Sequence, residues 1–301
     1  MSDRVIPFLP AALEREVQSA LVEAKIYDIG SYGWLNENDP DPDFIGHAMW
    51  QIDQPSIEHN ALLGETPVRR RPEQVEKEIL IAGEDFCGLM QASRLSIGLT
   101  LIWNRQAHDN PWNESPFFWV HHTDAFLKLA IASDRLRDLL IVACTGTSAN
   151  SYKGKAKRNR LYITPYEGAS TLLAARGLDD QHLVEPLAAL PGLAKQLFTY
   201  IDRRNEIVHE VATRMAKLVR ESLSELQKRY DREQKHGFSP RSRDPAGWAP
   251  AADARLEELR GEINLATQEI QEWCTLLVRT SNCVFQVDYW SRVLGARQVA
   301  T

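Results

Sequence analysis

The sequence lacks the features that define membrane-spanning and secreted proteins. Its most apolar window, "LSIGLTLIW", is too short to span a bilayer and is bounded by Arg94 and Arg105. The first residues, "MSDRVIPFLPAALEREV", contain no apolar core followed by a small-residue cleavage site. These absences predict a cytoplasmic protein that has no membrane partner.

Cysteine is scarce, and no two cysteines are close enough in sequence to form a CxxC pair. The four cysteines (Cys87, Cys144, Cys274 and Cys283) lie far apart in apolar windows. This spacing argues against a disulfide framework and against a zinc-binding cluster. It predicts reduced thiols buried in the core.

Excess positive charge and the common catalytic motifs are also absent. The formal charge of −6 argues against a protein that coats nucleic acid non-specifically, although a local basic patch stays compatible with it. The stretch "GKAKRNR" lacks the first half of a Walker motif, and neither a nucleophilic Ser elbow nor a pair of catalytic carboxylates can be found. We therefore expect no kinase, NTPase, hydrolase or glycosidase activity, and no cofactor.

Apolar residues recur at three- and four-residue steps along most of the chain, which is typical of amphipathic helices. The sequence thus predicts an all-α fold, a bundle of long antiparallel helices (71–301) preceded by a helical and irregular extension (1–70). Two long helices are expected to form an antiparallel hairpin around the Pro- and Trp-rich turn "HDNPWNESPFF". The predicted helices are Pro10–Tyr27, 72–106, 119–144, 169–176, 181–189, 193–234 and 251–294.

The stretch "DRRNEIVHEV" places unusual polar chemistry within the predicted helix 193–234. Asn205 and His209 are four residues apart and share a helix face, so the Asn205 amide could fix the imidazole tautomer. Arg204 could place a forked, permanent positive charge beside the imidazole. A proton shuttle, an orienting amide and a phosphate-binding cation are what cleavage of an RNA phosphodiester requires. Arg203 adds a second cation for substrate binding.

An alternative interpretation of this stretch is a solvated helix face that happens to contain a histidine. In this chain an Arg-x4-His spacing is expected by chance about 0.7 times. The requirement for Asn, Asp or His directly after the Arg lowers that expectation to roughly 0.1. Spacing alone does not decide between the two interpretations.

The six residues "RNEIVH" (Arg204–His209) resemble the Arg-x4–6-His signature of HEPN domains, in which a polar residue follows the arginine. "SDRLRDLL" (Ser133–Leu140) is similar to the charged helix that precedes the signature in several HEPN families. The resemblance implies an all-helical bundle and a metal-independent endoribonuclease that leaves a 2′,3′-cyclic phosphate. It also implies His209 as general acid and base, Arg204 as stabiliser of the phosphorane, and Asn205 as a residue that orients His209 or contacts the phosphate.

Other candidate residues lie outside the motif. Asp134 and Arg135 could line the same cleft, or could belong to an ordinary helix-surface ion-pair network. A basic loop followed by tyrosines is a candidate RNA contact, although most such loops are only solvated. Its basic residues are Lys153, Lys155, Lys157, Arg158 and Arg160.

The stretch "HHTD" contains two histidines, His121 and His122, and a carboxylate, Asp124. Adjacent histidines on a helix point about 100° apart, and no second ligand cluster accompanies them, so we expect no metal site.

Two hypotheses follow. The first is a homodimeric HEPN-type ribonuclease that acts on RNA as a toxin or antiviral defence effector, held in check by an antitoxin or regulatory protein. The second is a non-catalytic helical module that binds nucleotides or other proteins, in which His209 has only a structural role.

Overall fold

The computed structural model describes residues 11–24, 74–109, 111–147, 149, 160–202, 224, 228 and 249–300. Every element in this part of the chain is a helix and none is a strand, which confirms the predicted all-α class. None of these helices is long and apolar enough to cross a bilayer. The helices are α1 (Ala11–Glu23), α2 (Gln74–Asp109), α3 (Pro111–Thr145), α4 (Arg160–Ala174), α5 (Gln181–Asp202) and α6 (Ala249–Ala300).

The connection between α2 and α3 is much shorter than predicted. Only residue 110 separates the two helices, so the segment predicted as a turn is almost entirely helical. Pro111 is the first residue of α3. A backbone N–H at this position has no hydrogen-bond partner within the helix, so proline, which lacks the N–H, loses no helical hydrogen bond there. Pro116 lies inside the helix, and Phe118 and Trp119, two and three residues later, are buried. Burial of these aromatic rings offsets the one helical hydrogen bond that Pro116 removes.

Helices α2 and α3 run antiparallel, as predicted. In α3, Phe117 stacks on Trp103 of α2 with 4.7 Å between ring centroids. Seven residues further along α3, Asp124 accepts a hydrogen bond from Ser96, which lies seven residues earlier on α2. Contacts that advance along one helix and retreat along the other define an antiparallel pair.

Helix α5 is one continuous element. The prediction of separate helices over 181–189 and from 193 onward is wrong, because Pro191, which lies between them, is inside α5. Pro186 also lies inside this helix. A proline inside a helix costs about 3 kcal/mol in isolation. Here one continuous apolar face is buried along the helix and offsets that cost. Its members are Leu183, Pro186, Leu190, Leu193, Ala194 and Leu197.

The remaining boundaries differ from prediction in one notable case. Helix α4 begins at Arg160, which the sequence placed in the basic loop, nine residues before the predicted start of the helix at 169. Its buried residues Tyr166, Ala169 and Leu173 follow helical spacing and anchor it. Helix α6 agrees with the prediction to within a few residues and is 52 residues long.

The described residues fall into two compact units. The first contains α1, the C-terminal part of α2, the N-terminal part of α3 and residues 249–271 of α6. Its core includes Val17, Ile97, Phe126 and Ile263, all fully or almost fully buried.

The second unit contains residues 74–94, 127–147, 160–202 and 272–300. Its core is built around Trp273, Phe86 and Phe285, and the last two rings are 5.8 Å apart. The units are called unit 1 and unit 2 below.

Candidate functional site

The predicted catalytic residues lie outside the described residues. These residues are Arg204, Asn205 and His209, and the predicted substrate-binding residue Arg203 also lies outside the described part of the chain. The same is true of the basic-loop residues Lys153, Lys155, Lys157 and Arg158, whereas Arg160 is described as the first residue of α4 by its backbone alone.

The helix that precedes the motif in the sequence is firmly held within unit 2. Near its C-terminal end, Tyr200 stacks on Trp273 of α6, with 5.5 Å between ring centroids and 9° between planes. The Tyr200 hydroxyl also donates a hydrogen bond of 3.2 Å to Glu272. Helix α5 therefore has a defined position up to Asp202, directly before Arg203 in the chain.

Asp134 and Arg135, both on α3, form ion pairs. Some of these pairs lie within α3, and one joins α3 to α2. Asp134 accepts a hydrogen bond of 2.9 Å from Arg137. Arg135 lies 3.3 Å from Asp85 of α2 and 3.9 Å from Asp138. Among the described residues, these contacts form the helix-surface network that was one of the two interpretations of the sequence.

The centre of that network is Arg137, whose side chain is only 12% exposed. Burial by itself would lower the pKa of Arg137, but the Asp134 and Asp138 carboxylates outweigh burial and raise it. Arg137 is therefore a permanently charged, paired group. Both carboxylates lie on its own helix, and Tyr166 of α4 also contributes to its electrostatic environment.

The "HHTD" stretch divides between core and surface. His122 is 2% exposed and lies among aromatic rings, 5.7 Å from Phe118 and 5.4 Å from Trp119 between centroids. Asp124 accepts a hydrogen bond from Ser96 of α2. Within the described ranges no group of three or more His, Cys, Asp or Glu side chains is arranged to hold a metal.

One histidine arrangement escaped the sequence analysis. His182, in the first turn of α5, lies 2.6 Å from an Asp180 carboxylate oxygen through its Nδ1 atom and stacks on Trp290 of α6 at 4.0 Å. Asp180 also accepts a hydrogen bond from the His182 backbone N–H and so caps the helix. These contacts fix the start of α5 against α6.

A cleft in unit 1 also escaped the sequence analysis. It lies where α1, α2 and α6 meet and has a volume of about 330 Å³. Carboxamides dominate its polar lining, with Asn104 from α2 and Asn264, Gln268 and Gln271 from α6. The three α6 residues share one helix face. The sequence alone does not distinguish this row of α6 amides from a solvated helix face, because Asn104, which lines the same cleft, belongs to a helix that is distant in the sequence.

No family model, curated protein or solved structure matches this chain.

Proposed function

We propose that the protein is a metal-independent endoribonuclease of the HEPN type, with Arg204, Asn205 and His209 as its catalytic residues. In the proposed reaction the 2′-oxygen attacks the adjacent phosphorus and the bond to the 5′-oxygen breaks. The 2′-hydroxyl proton goes to a general base, and the leaving 5′-oxygen takes a proton from a general acid. The products are a 2′,3′-cyclic phosphate and a 5′-hydroxyl, and atoms balance without a co-reactant.

Each residue has a defined chemical task in this proposal. His209 transfers the protons, because imidazole titrates near neutral pH. Arg204 stabilises the negative charge that develops on the phosphorane oxygens, since guanidinium remains charged and binds phosphate through two N–H groups. Asn205 orients the His209 ring or contacts the phosphate.

The observation that carries the proposal is the combination of the "RNEIVH" motif with an all-helical chain. Every described element is a helix, and the described part of α5 runs to Asp202, directly before Arg203 in the sequence. HEPN domains are all-helical, so the all-α class supports the proposal. The proposal extends to a homodimer that brings two motifs together, and to an antitoxin or regulatory protein that restrains a toxin or defence activity.

RNA contact is proposed for Arg203 and for the basic segment Lys153, Lys155, Lys157, Arg158 and Arg160. The net charge of −6 means that attraction to RNA must be local. We expect affinity to fall with salt, but modestly, because few phosphates would be neutralised.

The net charge of −6 also favours a second candidate. This candidate is a non-catalytic helical module that binds nucleotides or proteins. In this case the charged stretch around Asp134 and Arg135 would serve only the ion pairs that it forms within the described helices. The two candidates differ in whether the motif is needed for RNA turnover.

The experiment is incubation of the purified protein with total bacterial RNA and tRNA in EDTA, beside His209→Ala and Arg204→Ala. Gln196→Ala serves as the control, because it truncates an exposed side chain of α5. Cleavage by wild type and control alone, leaving cyclic-phosphate ends, would support the ribonuclease. Equal cleavage by all four proteins would refute the assignment of the motif. No cleavage by any of them would favour the non-catalytic module.

A further inference from the structure

Helices α4 and α5 pack against each other in unit 2 and are joined by residues 175–180. Lys195 of α5 forms an ion pair with Glu167 of α4, with 3.7 Å between the Lys195 Nζ atom and a Glu167 carboxylate oxygen. One side of this hairpin is buried, and the opposite side is exposed to solvent. We call the exposed side the hairpin face, and its residues are Glu167 and Thr171 of α4 and Val184, Ala188, Gly192 and Lys195 of α5.

The hairpin face carries little charge for an exposed surface. In α5 the charged residues are Glu185, Lys195 and Asp202, which are 3 of its 22 residues, whereas charged residues make up 25% of the whole chain. Glu185 and Asp202 lie toward the two ends of α5, so Lys195 is the charge that this helix contributes to the hairpin face. Val184 is apolar and 64% exposed. Depletion of charged side chains is a compositional signal of the core of a protein interface.

Small residues at the centre of the hairpin face allow another helix to approach closely. Ala188 and Gly192 are exposed and one turn apart, and a Cβ atom added to Gly192 would meet nothing within 4 Å. The distance between packed helices depends on the side chains at the contact, so this position admits a facing helix at short range.

The size of the hairpin face indicates how tightly a partner could be held. A helix of 22 residues is about 33 Å long, so the surface of the two helices offers on the order of 500 Å². A standard interface uses roughly 800 Å² of each partner. We therefore expect reversible association through this surface.

The Glu167–Lys195 pair makes the hairpin face complementary to itself. Both side chains remain largely exposed, Lys195 at 65% and Glu167 at 47%. In a two-fold symmetric contact the same patch meets itself, so Lys195 of one copy can lie opposite Glu167 of the other. Each copy carries a net charge of −6, and repulsion between two copies is weakest where they meet through a patch whose own charges cancel.

We propose that a second copy of this chain docks on the hairpin face through a two-fold symmetric contact. The inference deepens the proposed function, on which it rests for the expectation of a homodimer. The choice of surface depends only on residues of α4 and α5 and on none of the motif residues.

The test is sedimentation velocity of the full-length protein over a concentration range of about 1 to 100 μM, as suits a small interface. We expect wild type to pass from monomer to dimer across this range. The measured quantity is mass, which does not depend on catalysis. A dimeric wild type that fails to cleave RNA would contradict the proposed ribonuclease and leave this inference intact.

The first variant blocks the centre of the hairpin face. Gly192→Leu should weaken dimerisation about tenfold or more, because its side chain occupies the space that a facing helix needs. Gly88→Leu, at an equally open and exposed position on α2, is the matched control and should dimerise as wild type does. Circular dichroism of each variant checks that the helical fold is retained.

The second set of variants tests the self-complementary charges. Lys195→Glu and Glu167→Lys should each weaken dimerisation, because each places like charges opposite each other twice in a symmetric dimer. An equimolar mixture of these two variants should dimerise again, since the mixed dimer restores both pairs of opposite charges.

Three results would overturn the inference. These are a wild type that stays monomeric over the whole concentration range, equal dimerisation of Gly192→Leu and wild type, and the absence of recovery in the mixture of charge-reversed variants.

Discussion

Gly98 of α2 and Val17 of α1 pack so closely that a Cβ atom on residue 98 would lie 2.5 Å from Val17 Cγ1. Val17 is fully buried, and a valine in a helix has essentially one side-chain rotamer, so it cannot turn away. Glycine at position 98 therefore sets the distance at which α1 docks on α2 within unit 1.

Gly98→Ala is expected to destabilise the protein. Overpacking costs roughly 1–3 kcal/mol, whereas the better helix propensity of alanine returns about 1 kcal/mol or less. Urea denaturation followed by circular dichroism measures the difference. Gly88→Ala, on the same helix with nothing within 4 Å of the added Cβ, is the matched control and should be neutral or stabilising. Val17→Ala should partly rescue Gly98→Ala, and failure of that rescue would contradict the proposed contact.

A second glycine is required by backbone conformation. Gly177 has φ of 70° and ends α4 in a Schellman motif, in which the Leu178 N–H bonds the Leu173 carbonyl and the Gly177 N–H bonds the Ala174 carbonyl. The Gly177 carbonyl in turn accepts a hydrogen bond of 2.9 Å from Gln298 of α6. We expect Gly177→Ala to lower the free energy of unfolding by about 1–2 kcal/mol, the cost of left-handed backbone for a residue with a Cβ.

Gly177→Asn is the informative companion, because asparagine tolerates the left-handed region better than alanine does. Thermal unfolding should rank the proteins as wild type, then Gly177→Asn, then Gly177→Ala. If Gly177→Ala were as stable as wild type, backbone conformation would not be the reason for glycine here.

The sequence was most informative where burial produces a regular period. The presence of the long helices α2, α3 and α6 followed from apolar spacing, because each helix buries residues at helical intervals. The same reasoning failed where proline was read as a break. Pro116 and Pro191 both lie inside helices, and local sequence does not reveal the burial that offsets the lost hydrogen bonds.

Candidate sites were harder to predict than helices, for a physical reason. A site brings together residues from distant helices, as the cleft does with Asn104 and Gln268, and helical periodicity carries no information about such pairs. The "RNEIVH" motif is different, because its chemistry is contained in six consecutive residues. Its residues lie outside the described part of the chain, so their assignment stays a prediction.

The cysteines differ in burial in a way that predicts their reactivity. All four are free thiols, and Cys283 is the partly exposed one. Burial raises the pKa of Cys144 and of Cys274 to about 12. Since the thiolate is the reactive form, both should resist modification in the folded protein.

We therefore expect a thiol reagent at mildly alkaline pH to modify Cys283 first, and slowly, because burial also raises the pKa of Cys283. Cys144 and Cys274 should react only after denaturation. Cys283→Ser should remove the first phase of the reaction with the native protein. Modification of Cys144 at the rate of Cys283, identified by peptide mass spectrometry, would contradict this order.

A buried ion pair in unit 2 should make stability depend on pH in an unusual direction. Asp288 of α6 is fully buried and accepts a 2.6 Å hydrogen bond from Arg292, one turn later. Burial raises the pKa of Asp288, and Arg292 opposes that rise without cancelling it. The pKa of Asp288 is therefore higher in the folded protein than in the unfolded chain. At a pH between these two pKa values, Asp288 is protonated in the folded protein and ionised in the unfolded chain. The Asp288 contribution to stability must then increase as pH falls through the folded-state pKa.

Arg292→Met tests this relationship, because it leaves the Asp288 carboxylate without its cation. Loss of one partner of a buried pair costs about 3–5 kcal/mol, and the deficit should be greatest at neutral pH, where Asp288 would be charged. Without Arg292 the pKa of Asp288 rises further, so Asp288 should become protonated at a higher pH in the variant than in wild type. The stability deficit of the variant should shrink as Asp288 is protonated. Urea denaturation from neutral pH to about pH 5 measures this, with the exposed Asp179→Asn as control. A deficit that stays constant or grows on acidification would show that the Asp288 charge is not its cause.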